Sequence, residues 1–505
     1  MSIQNREGNH LKNKGHIVLF QPAIRVGKEQ QRRTGVPSGL LAIATPLDLA
    51  GYSIKIIDQN FEDRWKDILH SELKKRPVCV GVSAKTGPQI RYGIEASKIV
   101  KQYDAIPVIW GGVHPSLLPE QTLENDNIDI VVQREGEETF FELVEALQKG
   151  EPLSTVKGIW YKEDGEIKKT ESRPFIDLEK QPSPSYHLID VNKVLVRSFG
   201  EDHLRFSSSR GCFFRCGFCY NTAFYKRRWR ALSAERTYEE IKRIRTEFGI
   251  RGIRFSDDLF FGDVERVRKI LTRIVDEKLD VVVTKLDIHV TELSNLDDDF
   301  LRLLEKAGAK ALVVGVESGS QRILDLIKKG IKVSDVIEFN KRVAKFNLIP
   351  KYCFMMGFPT ETIEDIRETV SLILRLLKDN KEAIKDINIY TPYPGTALLD
   401  LSVKHGFVPP KKLEDWVPFN WRTINRKRTP WITKEREKLL RMLHCSSLFL
   451  EKNYFLQPQW PTNPIVVMLA RLYHPIAKKR VEKLYDKFPI EIKLVEWLRL
   501  YPKQA

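Results

Sequence analysis

Long apolar runs are missing from this chain of 505 residues, and the longest, such as Pro464–Ala470, fall far short of the roughly 20 residues that a helical membrane span needs. Cysteine is scarce: six residues do not staple a secreted scaffold. Met1–Gly15 is polar and lacks the apolar centre of a secretory signal. Together these absences predict a cytoplasmic protein whose thiols stay reduced, so that clustered cysteines point to metal binding or redox work. No G-x-G-x-x-G stretch occurs, which removes the usual sign of a nicotinamide cofactor. Repeats and low-complexity tracts are absent, and a composition of 42% hydrophobic and 30% charged residues excludes disorder.

What is there is enough length for two to four domains and an uneven positive charge. From Leu401 to Ala505, 21 Lys and Arg face 9 Asp and Glu, so +12 of the net +16 sits in that segment and +4 in the rest. A basic tail suits an anionic membrane surface, an acidic substrate or nucleic acid, and equally a solvated helical face. No RNA-binding module accompanies it, so nucleic acid is not expected. Pro464–Arg480 pairs an apolar face with a cationic end. It suits peripheral contact with an anionic bilayer, which favours a lipid-like substrate, or packing across the bottom of a barrel.

Residues 16–148 alternate short apolar runs (His16–Pro22, Ser53–Asp58, Val78–Ser83, Pro107–Gly112, Asp129–Gln133) with amphipathic stretches (Gly39–Ala50, Gln89–Gln102, Glu138–Gln148). That alternation predicts an α/β, doubly wound, Rossmann-like domain over 1–150. Ligands of such sheets sit beyond the carboxyl ends of the strands, where Ser83–Gly87, Gly111–Pro115 and Arg134–Glu137 fall. Gly158–Ile167 reads as a hairpin around Asp164-Gly165, and Gln181–Ser185 as a linker, within a connecting region 151–197. Over 198–400 six further strands are expected, at Arg205–Ser208, Gly252–Ser256, Asp280–Lys285, Ala311–Val316, Lys351–Met356 and Asp386–Tyr390. With helices between them they predict a partial (β/α)6 barrel of TIM type, its chemistry at the carboxyl ends of the strands. Residues 401–505 read as a basic helical region.

The sharpest signal is Cys212-x3-Cys216-x2-Cys219, directly after the first barrel strand. Three thiolates hold three irons of a [4Fe-4S] cluster and leave the fourth open to a small molecule, which a four-cysteine ferredoxin site does not offer. Structural zinc would want a fourth ligand close by, and none is evident in the loop. Phe255–Asp258, Gly315–Ser320, Met356–Thr360 and Tyr390–Thr396 each follow a barrel strand on the same rim. Cys79, Cys353 and Cys445 read as core residues; a luminal Cys353 would also suit hydrogen donation or metal ligation.

The triplet and these strand-end motifs resemble the radical S-adenosylmethionine superfamily, and with the N-terminal domain they resemble its cobalamin-binding members over residues 16–400. The resemblance implies that the amino and carboxylate groups of S-adenosylmethionine chelate the open iron. Phe218 then lies beside the adenine, Asp257 and Asp258 by the ammonium, and Glu317 and Ser318 by the ribose and carboxylate. It also implies a base-off cobalamin touching Ser83, Thr86, Gly111, Gly112, His114, Glu135 and Gly136. His114 sits in no D-x-H-x-x-G motif and is not expected to ligate cobalt. Methylthiotransferases carry further N-terminal cysteines, whereas only Cys79 precedes this triplet.

The function expected from the resemblance is methylation of an unactivated carbon through a 5′-deoxyadenosyl radical and methylcobalamin. An external flavodoxin- or ferredoxin-type donor would supply electrons, and the substrate would be a small or lipid-like molecule. Two alternatives stay open. One is a cyclase or oxidoreductase like the anaerobic porphyrin-ester cyclases, without net methyl transfer. The other is a non-catalytic corrinoid-binding or electron-transfer protein. Lys285, Asp287, His289 and Tyr352 are expected to face the barrel lumen.

Overall fold

A computed structural model of the chain describes residues 14–24, 35–103, 106–419, 428–450, 464–488 and 490–497, so all of Met1–Gly15 but its last two residues lies outside them. The chain forms two compact units: 1–194 with 410–418, and 195–409 with 419–505.

The first unit holds a seven-stranded sheet of β1 (His16–Gln21), β2 (Ser53–Asp58), β3 (Cys79–Ser83), β4 (Val108–Gly111), β5 (Ile130–Val132), β6 (Ile159–Glu163) and β7 (Glu166–Lys169), in the order 2-1-3-4-5-6-7. The first five run parallel. Runs such as Ile17–Phe20 are apolar without alternation because helices cover both faces of a parallel sheet. The expected hairpin forms as β6 and β7, and pairs antiparallel onto β5 at the sheet edge. Pro410–Pro418 returns to this unit: Trp416 is buried, and its Nε1–H donates to Gln121 Oε1 at 2.7 Å.

The second unit holds β8 (Val196–Ser198), β9 (Glu201–Phe206), the short pair β10 (Ser209–Arg210) and β11 (Arg230–Ala231), then β12 (Gly252–Phe255), β13 (Val282–His289), β14 (Ala311–Glu317), β15 (Ile349–Met356) and β16 (Ile384–Ile389). Its main sheet runs 16-15-14-13-12-9-8, with β9 and β12 to β16 parallel, as a half-barrel of six βα repeats requires. The first strand begins earlier than expected. Phe199 and Gly200, both at positive φ, turn the antiparallel β8 into it, a tight hairpin of the kind that suits strand twist. Four barrel helices start at side-chain caps, Ser233, Asp263, Asp297 and Thr362, each accepting the N–H three residues on. The helix Lys434–Ser447 packs beside β16, with His444 Nδ1 at 2.7 Å from Ile387 O. No described helix is long and apolar enough to cross a membrane.

Candidate functional site

The cysteine loop is held at both ends and in its middle. It leaves β10 through Gly211, at φ +81°, where a Cβ would lie 2.0 Å from Arg228 O; no other residue fits. The Gly211 N–H donates to Asp258 Oδ2 at 3.0 Å. Midway, the Gly217 N–H donates to Ile327 O at 2.8 Å, and Gly217 O accepts from the Leu398 N–H at 2.9 Å. Phe214 stacks on His289, with ring centroids 3.5 Å apart. The side chains of Cys212, Cys216 and Cys219 do not converge on a single-ion position, nor does any other set of three or more His, Cys, Asp or Glu among the described residues.

Burial pushes the Cys212 thiol up to about 11 and the Cys219 thiol to about 12, and raises Cys216 as well. Thiols so placed ionise readily only when metal replaces the proton. Three of them on one anchored loop fit three corners of a cubane, whose irons stand apart.

Around the loop, the two aspartates after β12 differ in use. Asp257 is buried and accepts from the Ser208 N–H at 2.8 Å, Ser208 Oγ–H at 2.7 Å and Ser209 Oγ–H at 2.6 Å; burial raises its carboxyl to about 6 although these bonds oppose the shift. It braces the strand end from behind. Asp258 is half-buried; besides Gly211 it has the Tyr220 hydroxyl at 3.4 Å.

Glu317 ends β14 at φ +71°, a strained conformation for a residue with a side chain. Lys329 Nζ donates to its Oε1 at 3.0 Å, both groups being buried. Gly315 makes room for the pair: its Cβ would meet Glu317 Oε1 at 2.8 Å and Lys329 Nζ at 3.0 Å. Burial disfavours the charge on Lys329, but Glu317 and the nearby cysteines outweigh it and raise its pKa. Lys329 Nζ also lies 6.0 Å from the centroid of the Phe218 ring, which places Phe218, Glu317 and Cys216 about one cation. Ser318 is fully buried, its hydroxyl bonded to Thr369 Oγ1 at 3.0 Å and to the Ser320 N–H at 3.1 Å.

Lys329 is the residue that sequence reasoning missed. It lies 12 positions beyond Glu317 in a Lys-Lys-Gly stretch that ends a helix, and only the fold brings it back. In the lumen, Lys285, Asp287 and His289 share a face of β13. Tyr352 was expected there too. It points the other way, its hydroxyl donating to Asn340 on a covering helix at 2.9 Å, because it alternates with Lys351 and Cys353.

In the first unit, the loops after β3 and β4 are stitched together: the Ala84 N–H donates to Gly111 O at 2.9 Å and the His114 N–H to Ala84 O at 3.2 Å. Gly112, at φ +96°, has no room for a Cβ, which would lie 2.8 Å from Ala84 O. At Gly111 by contrast a Cβ would meet nothing closer than 3.9 Å, so the strand end carries no side chain there although there is room for one. His114 is fully buried, with Nδ1 at 2.9 Å from Thr86 Oγ1, and Nε2 has no partner among the described residues. Burial pushes its pKa down to about 3, so the ring is neutral. Glu135 is buried and accepts from the Ile176 N–H at 3.2 Å; Gly136 packs against Ile43. Bare glycine backbone and an orphaned neutral imidazole at the carboxyl end of a parallel sheet fit a flat macrocycle.

Two family profiles match the chain: the B12 binding domain over residues 31–144 and the radical SAM superfamily over residues 206–373. An uncharacterised methyltransferase of Pyrococcus horikoshii is 33% identical over 439 residues, 85% of this chain and 91% of that protein. The anaerobic magnesium-protoporphyrin IX monomethyl ester cyclase of Cereibacter sphaeroides is 26% identical, over 86% of this chain and 75% of its own. Among solved structures, the cobalamin-dependent S-adenosylmethionine radical enzyme OxsB with aqua-cobalamin bound superposes with a TM-score of 0.70 at 18% identity, covering 97% of this chain and 76% of that one. The radical S-adenosylmethionine methyltransferase TsrM of Kitasatospora setae, with tryptophan and a SAM analogue bound, gives 0.69 at 15% identity over 93% and 99%.

Proposed function

This chain belongs to the cobalamin-binding radical S-adenosylmethionine enzymes, and we propose that its reaction is methyl transfer to an unactivated carbon of a small-molecule substrate. Its cofactors are a [4Fe-4S] cluster, S-adenosylmethionine and cobalamin. When bound, the cluster supplies the electron that cleaves the sulfonium to a radical, and the corrinoid carries the methyl group. The observation that carries the reading is one chain holding both an anchored three-cysteine loop and a glycine-edged strand end within a B12-binding match.

The chain's own residues divide the work. Cys212, Cys216 and Cys219 hold three cluster corners. Phe218 offers an apolar face to the adenine, and Lys329 a cation to the carboxylate of S-adenosylmethionine. Asp258 is the open carboxylate for the ammonium, with Asp257 behind it. Glu317, paired with Lys329, accepts from the ribose hydroxyls, and the buried Ser318 fixes the backbone beside it. Ser83, Thr86, Gly111, Gly112, His114, Glu135 and Gly136 frame the corrinoid. A flavodoxin- or ferredoxin-type protein supplies the electrons.

The test is anaerobic incubation of the reconstituted enzyme with a reductant, S-adenosylmethionine and candidate substrates. Methyl transfer yields S-adenosylhomocysteine and 5′-deoxyadenosine together, with a product heavier by one methylene. Likeness to the ester cyclase favours one rival, which yields deoxyadenosine and an oxidised or cyclised product without S-adenosylhomocysteine. Contact with an anionic membrane is a further part of the proposal. It is supported by exposed Met468, Leu472 and Ile476, spaced four apart on the helix Pro464–Glu482, with exposed Lys479 and Lys483 continuing that face. Co-sedimentation with phosphatidylserine vesicles, lost in Leu472→Glu, tests it.

A further inference from the structure

Inside the half-barrel, three basic residues stand side by side on three adjacent strands. Arg254 of β12 pairs in register with Arg205 of β9 on one side and with Lys285 of β13 on the other. Neighbouring strands lie about 4.8 Å apart, so the three stems rise as one row. The row depends on an irregularity: the register slips between Ile253 and Arg254, which sets Lys285 rather than Thr284 opposite Arg254. Slips of this kind re-aim side chains next to active sites.

Two buried lysines of this unit are neutralised. Lys329 pairs with Glu317, and Lys351 with Asp386 at 2.5 Å. Arg205, Arg254 and Lys285 make no ion pair with any described residue, and the Nε atoms of both arginines are buried without a hydrogen-bond partner. Asp287 is the carboxylate that offsets all three, which leaves an excess of up to two positive charges. His203, two residues before Arg205 on β9, is buried and kept neutral by burial and by these same three cations. Burial and the cations Lys351 and Arg254 press the Lys285 ammonium down to about 7. Like charges set opposite one another cost stability, and buried unpaired charges cost more. A structural role would be served better by apolar side chains.

We propose that the row Arg205–Arg254–Lys285 receives a dianionic phosphate or phosphonate group of the substrate. The proposal rests on the enzymatic reading above and narrows its substrate class. Two guanidinium forks and an ammonium match the geometry and charge of such a group, which two arginines can grip by paired N–H donors. Bound there, the anion fixes one end of the substrate in the barrel below the cluster loop.

The test uses holoenzyme loaded with cluster, cobalamin and S-adenosylmethionine, so that an added anion displaces neither the carboxylate of the one nor the nucleotide phosphate of the other. Inorganic pyrophosphate and methylphosphonate are titrated against sodium chloride at matched ionic strength, with Tm and equilibrium dialysis as readouts. The expected result is saturable binding and a rise in Tm that chloride does not reproduce. In Arg254→Gln and in Lys285→Met the rise disappears, while Tm without anion is equal to or above that of the parent because a buried repulsion is gone. Arg254→Lys keeps part of the response. Absence of saturable binding, a response unchanged in both variants, or binding only when cobalamin is withheld overturns the proposal. Cleavage of S-adenosylmethionine is assayed on the same preparation without added anion. A protein that cleaves but ignores phosphate therefore refutes the row and leaves the enzymatic reading standing.

Discussion

Two buried carboxylates in the second unit have opposite fates. Glu361 accepts the Gly357 N–H at 2.6 Å, yet burial pushes its carboxyl up to about 8. An unfolded glutamate ionises near 4.3. Above that pH the unfolded chain has released a proton that the folded chain keeps until about pH 8. This group's contribution is therefore full below about pH 4, declines as pH rises, and levels off past the folded value. Glu361→Gln is expected to flatten that decline and to raise Tm at pH 8.5 relative to the parent, measured by circular dichroism across pH. Glu317, in contrast, has a partner in Lys329. Lys329→Met leaves a buried carboxylate alone and is expected to cost about 3–5 kcal/mol in denaturant unfolding. Lys329→Met with Glu317→Gln restores most of that stability and still weakens binding of S-adenosylmethionine, because the cation and the carboxylate that meet it are both gone.

At the scale of elements, the cysteine loop depends on its entry turn. Gly211→Ala drives a Cβ into Arg228 O and is expected to lower iron content per chain several-fold while far-ultraviolet circular dichroism of the barrel changes little. The strands themselves were legible because parallel strands buried on both faces read as short apolar runs between amphipathic stretches; all five of the N-terminal parallel strands and five of the six barrel strands fall where those runs lie, and the first barrel strand overlaps its run only at Arg205 and Phe206. The cysteine triplet was legible because its chemistry needs close spacing. Other features were not. β8 was missed because its partner is set by a Phe-Gly turn without the usual Asn or Asp. The pairing of the 158–167 hairpin with β5 has no local signal. The Lys329–Glu317 pair and the cationic row are invisible in sequence because they join residues on different elements, and the row further needs a register slip. Tyr352 was misplaced because nothing in the sequence of β15 marks which of its alternating residues face the lumen.

For the molecule as a whole, the chain is not a simple string of domains: Pro410–Pro418 belongs to the unit formed by residues 1–194. Trp416 is buried there, bonded to Gln121, with its ring centroid 5.8 Å from that of His114 in an edge-on arrangement. Trp416→Ala is expected to cost about 3–5 kcal/mol, as large aromatic deletions do, and to weaken cobalamin binding measured by absorbance titration, because it loosens the packing around His114. Joining both units in one chain is what the proposed chemistry requires: one supplies a radical, the other a methyl group, and neither alone completes the transfer. That chemistry depends on a cluster with a corner that no cysteine occupies. Electron paramagnetic resonance of the dithionite-reduced, anaerobically reconstituted protein, recorded with and without S-adenosylmethionine, addresses that corner directly. A [4Fe-4S]+ signal whose g-values shift on adding S-adenosylmethionine is the expected result; a signal indifferent to it, or zinc in place of iron, would contradict the assignment.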